Sequence, residues 1–207
     1  SIERYMLNED DLSIFKLLFR ELEYSIARIE ANEKANEMNR RLKQAAVTDM
    51  LTGIYNRAGM YQEIEKLEKR ISVTSGGMDV GLMFIDLDNF KHYNDTYGHD
   101  IGDLILKEMA FIFREVAKDR GFVSRYGGDE YILFLQNIGD REELTARIEG
   151  FRKKIHDKAE EKGQDVHCSI GLYRVKGAGR KLAECIMISD GLLYQAKKNG
   201  KDTYVIE

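Results

Sequence analysis

The sequence predicts an α+β fold, in which a sheet of about five strands has flanking helices and follows one long N-terminal helix. The 207 residues contain no proline, which favours long uninterrupted helices. From residue 80 onward, apolar runs of strand length alternate with helix-length amphipathic segments. Their order of strand, helices, strand, strand, helix, strand, helix and strand is close to a ferredoxin-like core.

Composition excludes several classes of protein. With 43% hydrophobic and 33% charged residues, the chain is expected to be globular, not collagen-like or disordered. A net charge of −4 argues against a nucleic-acid polymer as partner, because that function needs a basic face. Cys168 and Cys185 lack zinc-finger spacing and fit a reducing cytosol, so a cytoplasmic location is predicted. No apolar run approaches the roughly 18 residues that span a bilayer, so no membrane contact is expected of this fragment.

Residues 9–46 are predicted to form one helix. Its apolar residues alternate spacings of three and four, as in an a/d seam, at Leu12, Phe15, Phe19, Leu22, Ile26 and Ile29. The spacing repeats in a shifted register from Ala31 to Ala45, so the seam breaks near residue 30. The helix either packs on its own domain or forms a parallel coiled coil between two protomers, and the charged outer surface favours the coiled coil. Residues 1–48 are therefore predicted to be a helical connector, and residues 49–207 a separate domain.

The remaining elements follow in chain order, each bounded by turn signals. Residues 49–53 form a turn, Asn56 caps a helix over 57–72, and the glycines of 75–77 end it. Residues 80–87 have the length of a buried strand, and a short helix over 90–97 ends at Gly98. Downstream, the patterns predict a helix over 100–118, strands over 122–126 and 131–135, a helix over 140–161, a strand over 166–175, a helix over 180–198 and a strand over 203–206.

The first acidic cluster is Asp86 and Asp88, at the end of the predicted strand 80–87. Positions two apart in a strand face the same side, and Mg²⁺ takes one or two protein carboxylates plus phosphate oxygens. For Asp88 alone, we prefer a simple cap of the following helix. Asp86 ends a hydrophobic run, where a carboxylate needs a partner or a cation.

The second acidic cluster is the hairpin tip, Gly127-Gly128-Asp129-Glu130. The glycines permit positive φ and let phosphates or a base approach the backbone, while the adjacent carboxylates repel each other unless a cation or donor lies between them. An ordinary solvated turn is the alternative for this tetrapeptide. If the 80–87 strand lies between the hairpin and another strand, Asp86 and Glu130 meet across the sheet. Carboxylates on neighbouring strands hold Mg²⁺ over a triphosphate in palm-type sites.

A triphosphate also needs positively charged partners. Lys91 begins the helix after Asp86, where free backbone N–H groups favour anions. Lys197, Lys198 and Lys201 come at the end of the last long helix. Each lysine is alternatively a solvated surface charge, which is the preferred interpretation for Lys198.

Five sequence blocks occur in order along residues 49–207. They are DMLTGIYNR at 49–57, FIDLDNFK at 84–91 with ND at 94–95 and GHDIGD at 98–103, RYGGDEY at 125–131, SIG at 169–171 and DGLLYQAK at 190–197. Together they resemble the catalytic domain of diguanylate cyclases, the GGDEF family. The resemblance implies a nucleotide-cyclase or palm-like sheet, and condensation of two GTP into cyclic di-GMP with release of pyrophosphate.

The resemblance also implies the roles of individual residues. Asp86 and Glu130 would bind Mg²⁺ or Mn²⁺ with help from the Leu87 carbonyl, and Asp129 would help remove the proton of the ribose 3′-OH. Asn94 and Asp103 would read the guanine edge. The remaining residues assigned to the GTP site are Phe90, Lys91, Gly127, Gly128, Lys197 and Lys201.

The family's active site holds one GTP, so the resemblance implies that two domains face each other. The N-terminal helix would then join a homodimer and raise the effective concentration of the two halves. Residues 5–30 also resemble the closing helix of a GAF sensor domain. Because the chain begins with Ser1 and not Met, we expect a fragment from which an upstream sensor domain is missing.

The chain departs from the family pattern at five positions. Tyr131 replaces Phe, with little expected effect. Lys201 replaces Arg, so a point charge takes the place of a bidentate fork and triphosphate binding is weakened. Asp202 replaces Asn. Lys118 and Gly121 stand where the product-inhibition motif has Arg and Asp, so no feedback is expected at that site.

Two other functions stay open at this point. The chain could be a non-catalytic GTP-binding module that regulates a partner, which Lys201 favours and the intact Asp86, Asp129 and Glu130 disfavour. It could also be a structural dimerisation unit whose acidic turn has no function.

Overall fold

The computed structural model describes residues 9–73, 79–161, 163, 165–176 and 181–207. The chain divides into two compact units, residues 1–45 and 46–207. The predicted turn at 75–77 lies outside the described residues. Within the described part of the chain, no helix has the length and apolar character needed to cross a membrane.

The first unit is formed by helix α1 (Glu9–Val47), which continues two residues into the second unit and agrees with the predicted helix. Its large apolar side chains between Leu12 and Leu42 are at least 47% exposed, including Leu12, Phe15, Phe19, Leu22, Ile26, Ile29, Met38 and Leu42. Isolated apolar residues on a surface are ordinary, but this many exposed large apolar side chains on one helix are unusual for a surface that contacts only water.

The second unit contains the sheet and its helices. In chain order they are α2 (Arg57–Val73), β1 (Asp79–Leu87), α3 (Phe90–Tyr97), α4 (His99–Ala117), β2 (Gly121–Gly127), β3 (Glu130–Gln136), α5 (Arg141–Glu160), β4 (Cys168–Lys176), α6 (Leu182–Lys198) and β5 (Tyr204–Ile206). Each predicted element is present, with its ends within two residues of those predicted.

Local signals explain several of these boundaries. Asn56 caps α2, because its Oδ1 accepts a hydrogen bond from the Gly59 N–H at 2.9 Å. Asp140 caps α5 in the same way through the Glu143 N–H. Gly98, with φ of +89°, takes a backbone conformation that few other residues adopt and separates α3 from α4.

The five strands form one sheet in the order β2-β3-β1-β4-β5. All neighbours are antiparallel except β4 and β5. The first four strands have the order of a ferredoxin-like core. Helices α4 and α5 pack on one face of the sheet, and α2 and α6 pack on the other.

Strand β1 lies at the centre of the sheet and is covered on both faces. Met83 and Ile85 belong to the core under α4 and α5, while Leu82 and Phe84 belong to the core under α2 and α6. A strand covered on both faces is expected to be a continuous apolar run, as β1 is from Val80 to Ile85. Asp86 therefore follows at the end of this apolar run, where its carboxylate is mostly removed from solvent.

Candidate functional site

Asp86 and Glu130 lie directly opposite each other on neighbouring antiparallel strands. Strand β1 lies between β3 and β4. Sequence analysis predicted that Asp86 and Glu130 would meet if the strand had this position. Opposed residues of an antiparallel pair have Cβ atoms about 4.5–5.5 Å apart on the same face. The sheet therefore brings the two carboxylates together.

The surroundings of these carboxylates disfavour their ionised forms. Asp86 is 8% exposed, and burial raises its pKa more strongly than Lys197 lowers it, although the Lys197 Nζ lies 2.8 Å from the Asp86 Oδ2. Burial is also the main cause that raises the pKa of Glu130, followed by the negative charges of Asp86 and Asp129. Lys197 thus offsets only part of the combined effect of burial and repulsion.

This donor set fits a hard divalent cation. Carboxylate oxygens are the ligands that Mg²⁺ and Mn²⁺ prefer, and a cation between Asp86 and Glu130 would offset the burial and the repulsion that raise their pKa values. Asp129 is half-buried at the same hairpin tip, so three carboxylates surround this position.

The hairpin tip is stabilised by contacts that reach the distant turn at 49–53. Gly128 has φ of +49°, and a Cβ there would meet no atom within 4 Å, so the turn leaves space above its backbone. The Arg125 Nε donates to the Gly128 carbonyl at 2.8 Å, and its Nη1 lies 3.2 Å from the Asp49 Oδ1. Burial opposes ionisation of Asp49, but hydrogen bonds from Thr52 and the Arg125 charge lower its pKa overall. The turn at 49–53 therefore supports the hairpin tip, through a contact that sequence analysis missed.

The expectation that Asp88 caps α3 was wrong. Asn89 takes that position with φ of 57° and makes no side-chain cap bond. The Asp88 carboxylate instead accepts from the Ser169 hydroxyl at 2.8 Å and from the Asp202 N–H at 2.9 Å. Asp88 therefore connects β1 with β4 and with the segment before β5.

The predicted phosphate-binding lysines lie in different places. Lys197, on α6, pairs with Asp86. The Lys201 Nζ donates to the Asn89 Oδ1 at 2.6 Å, which holds it at the loop between β1 and α3. Lys91 is exposed in the first turn of α3, and Lys198 lies 4.4 Å from the centre of the Tyr194 ring.

The predicted guanine-reading residues frame a tight contact between α3 and α4. A Cβ at Gly102 would lie 1.8 Å from the Asn94 Oδ1 and 3.2 Å from the Phe90 ring, so any larger residue there requires the Asn94 side chain to move. The Asn94 Oδ1 is buried without a hydrogen-bond partner in the described part of the chain. Such an acceptor costs about 1–3 kcal/mol unless a donor reaches it. Asp103, the next residue, is exposed on α4.

Tyr131 uses the hydroxyl that distinguishes it from Phe. The ring is fully buried, its hydroxyl donates to the Leu106 carbonyl at 2.9 Å, and burial raises its pKa. We expect Tyr131→Phe to lower the free energy of unfolding by about 1 kcal/mol, the usual net value of one hydrogen bond. Urea unfolding measures this change, and turnover at saturating substrate should stay unchanged. A large loss of turnover would show that this bond positions the hairpin.

Comparison with known proteins agrees with this geometry. Residues 46–203 match the family described as "Diguanylate cyclase, GGDEF domain". The chain belongs to the GGDEF family. Diguanylate cyclases of this family generally depend on a divalent metal, in keeping with the acidic pair on β1 and β3.

Individual relatives contain the matching region within longer chains. The chain is 33% identical to the response regulator PleD of Caulobacter vibrioides, over 78% of this chain and 36% of PleD. It is 34% identical to the diguanylate cyclase DgcS of Shewanella oneidensis, over 79% of this chain and 53% of DgcS. The chain thus spans about a third to a half of these relatives.

A solved structure shares the fold of nearly the whole chain. It is the coiled coil and GGDEF domain of DgcB from Caulobacter crescentus in complex with c-di-GMP, with a TM-score of 0.78 and 24% identity. The similarity covers 92% of this chain and 99% of that one.

Proposed function

We propose that this GGDEF domain condenses two GTP molecules into cyclic di-GMP and releases two pyrophosphates. The observation that carries the proposal is the register of Asp86 opposite Glu130 beside the open Gly127-Gly128 turn. The name of DgcS, a diguanylate cyclase, supports the same reaction.

We assign Asp86, Glu130 and the Leu87 carbonyl to Mg²⁺, with Mn²⁺ as the substitute. When bound, the ion supplies charge stabilisation at the phosphate oxygens. Lys197 adds a positive charge next to Asp86. Lys201 adds a second at the loop between β1 and α3, and Lys91 adds a third in the first turn of α3. The nearby turn of Gly127 and Gly128 leaves room for a triphosphate.

The chemistry consists of two equivalent condensations. In each, the 3′-oxygen of one GTP bonds to the α-phosphorus of the other, the bond to the bridging oxygen breaks, and pyrophosphate leaves with its electron pair. We assign Asp129 to accept the proton of the 3′-OH, because its carboxylate is at the hairpin tip next to Glu130. Alignment of the two nucleotides supplies much of the rate.

Guanine selectivity is assigned to α3 and α4. The buried Asn94 Oδ1 needs a donor, and the guanine edge offers N–H groups to it and to the Asp103 carboxylate. ATP should therefore yield no dinucleotide product under conditions in which GTP does. Phe90 would line the same space, because its ring and Asn94 both face Gly102.

Two domains must face each other for this reaction, and we propose that the connector of residues 1–48 joins them as a parallel homodimer. The exposed apolar row of α1 supports this role. Leu22→Lys together with Ile26→Lys should convert the dimer to a monomer in sedimentation and lower the rate per domain at dilute protein. An upstream sensor domain stays a prediction.

Incubation with GTP and Mg²⁺ tests the proposed reaction, with pyrophosphate and dinucleotide both measured. We expect one cyclic di-GMP for two pyrophosphates. GTP binding without turnover, even after forced dimerisation, would overturn the proposal and favour the non-catalytic binding module.

Product feedback should be absent at the site formed by positions 118 and 121. Lys118 follows α4, and a Cβ at Gly121 would lie 1.7 Å from the Phe134 carbonyl oxygen, so Asp cannot be accommodated there without a backbone shift. Added cyclic di-GMP at submicromolar concentration should leave the initial rate unchanged, and Lys118→Ala should behave like the parent. Submicromolar inhibition that Lys118→Ala abolishes would contradict this prediction.

A further inference from the structure

A second group of metal-ligating side chains lies outside the acidic pair of β1 and β3. His156 is on α5, and Asp165 and His167 are in the segment that enters β4. One ligand atom from each of these residues lies within 4.8 Å of the other two. The group shares no residue with the proposed GTP and Mg²⁺ site.

A carboxylate lies next to each nitrogen of the His167 ring and orients it. Its Nε2 lies 2.6 Å from the Asp165 Oδ1, and its Nδ1 lies 3.2 Å from the Asp202 Oδ2. The His156 and His167 rings are nearly parallel, with centroids 5.8 Å apart and an interplanar angle of 23°. A carboxylate behind a histidine is the arrangement that orients metal-binding imidazoles.

Asp202 is itself held in place. Its Oδ1 lies 2.8 Å from the Arg152 Nη2, and its N–H donates to Asp88. Asp202 is one of the departures from the family pattern noted in the sequence, and its carboxylate here supports His167. An amide at this position would be a weaker acceptor for the imidazole N–H.

The donor set selects the class of metal. Two imidazoles and one carboxylate suit Zn²⁺ and its neighbours in the transition series, whereas Mg²⁺ prefers oxygen ligands. His156 and His167 line a cavity of about 300 Å³ together with Arg152 and Lys153, which leaves room for a water as further ligand. Arg152 is already paired with Glu149 and Asp202, so its charge is largely balanced.

We propose that His156, Asp165 and His167 bind Zn²⁺ or another imidazole-preferring divalent transition metal, with Asp202 as a positioning residue. The ion would tie α5 to the segment that enters β4. Binding at this site goes beyond the proposed cyclase reaction and does not depend on it.

Zn²⁺ titration of the full metal-free chain tests the proposal by calorimetry and by thermal unfolding, without nucleotide. After excess Mg²⁺ is added to occupy the acidic pair of Asp86 and Glu130, we expect one equivalent of Zn²⁺ to stay bound and the Tm to be higher than with Mg²⁺ alone. His156→Ala and His167→Ala should each weaken binding at least about tenfold, and Asp202→Asn should weaken it by about 10-fold through the lost support of His167. Co²⁺ should give the visible absorption of a four-coordinate site.

His92→Ala is the matched control, because His92 is exposed on α3 and outside the group. Its Zn²⁺ affinity should equal that of the parent. Asp86→Asn and Cys168→Ser test the acidic pair and the buried thiol as competing sites, and both should retain the affinity of the parent. Zn²⁺ binding that survives the combined His156→Ala and His167→Ala change, or that disappears in Asp86→Asn, would overturn the proposal.

Discussion

Glu130→Gln should lower the rate of cyclic di-GMP formation by at least about 10²-fold, as loss of one transition-state charge contact commonly does. Without divalent metal, the variant should nevertheless be more stable than the parent at pH 7. Glu130 is opposite Asp86 and near Asp129, and burial and their charges raise its pKa, so its ionised form destabilises the folded chain. Removing the charge relieves this repulsion while it removes a metal ligand.

The stability gain should depend on pH with a defined sign. Because the pKa of Glu130 is higher in the folded than in the unfolded chain, its favourable contribution is complete below the ordinary carboxyl pKa of about 4 and is lost as the pH rises through the folded value. The parent and Glu130→Gln should therefore have similar stability in acid. They should diverge as the pH rises from about 4 to the folded pKa of Glu130, and above that pH the difference should stay constant.

Further measurements separate a functional from a structural role of Glu130. Mg²⁺ should raise the Tm of the parent and have a smaller effect on the variant, because stabilisation by an ion follows its affinity for the folded state. Glu160→Gln, at an exposed position near the end of α5, is the matched control and should change neither rate nor metal response. Turnover that survives Glu130→Gln would disprove the assigned metal role.

Gly171→Ala should strongly destabilise the fold. A Cβ at this position in β4 would lie 2.1 Å from the Ser189 carbonyl oxygen and 2.2 Å from the Leu193 N–H nitrogen. Both atoms are backbone of α6, so the whole helix must move. We expect a loss of about 3 kcal/mol or more in the free energy of unfolding, at the upper end of overpacking effects. Urea unfolding measures it.

A control on the same helix makes this test specific. Gly191 is exposed in α6, and a Cβ there would meet no atom within 4 Å. Gly191→Ala should therefore raise the free energy of unfolding by about 0.5–1 kcal/mol, because alanine has the higher helix propensity. Equal changes in the free energy of unfolding for Gly171→Ala and Gly191→Ala would mean that the α6 backbone does not pack closely against β4 at Gly171. Since Lys197 is on α6, Gly171→Ala should also lower turnover.

Much of the candidate site followed from local sequence. The apolar run before Asp86 predicted a buried strand, and the two glycines before Asp129 predicted the hairpin tip. The structure confirmed that these elements are neighbours, with Asp86 opposite Glu130. Prediction succeeded here because strand length, turn residues and connection order restrict how a small sheet can be arranged.

Contacts between distant segments were beyond the reach of the sequence. Arg125 and Asp49 are 76 residues apart, and Asp88 and Ser169 are 81 apart. The sequence indicated a cap for Asp88, because Asp before a helix has that local role. Instead, the pairing of β4 with β1 places the Ser169 hydroxyl where it donates a hydrogen bond to the Asp88 carboxylate.

The two histidines of the proposed transition-metal group show the same limit. His156 and His167 are 11 positions apart in the sequence without a metal-ligand spacing that stands out. They meet because the end of α5 returns the chain to the start of β4, and Asp202 reaches them from the segment before β5.

The sequence by itself determined the elements, their order and the acidic residues at the end of β1 and the tip of the hairpin, because these depend on periodicity, turn residues and burial within short segments. Only the tertiary structure decided which charged side chains pair with these acidic residues and with each other. The pairing of Lys197 with Asp86, the bracing of the turn by Arg125 and the support of His167 by Asp202 depend on strand register and helix packing. Those are set by the whole core, and no single segment encodes them.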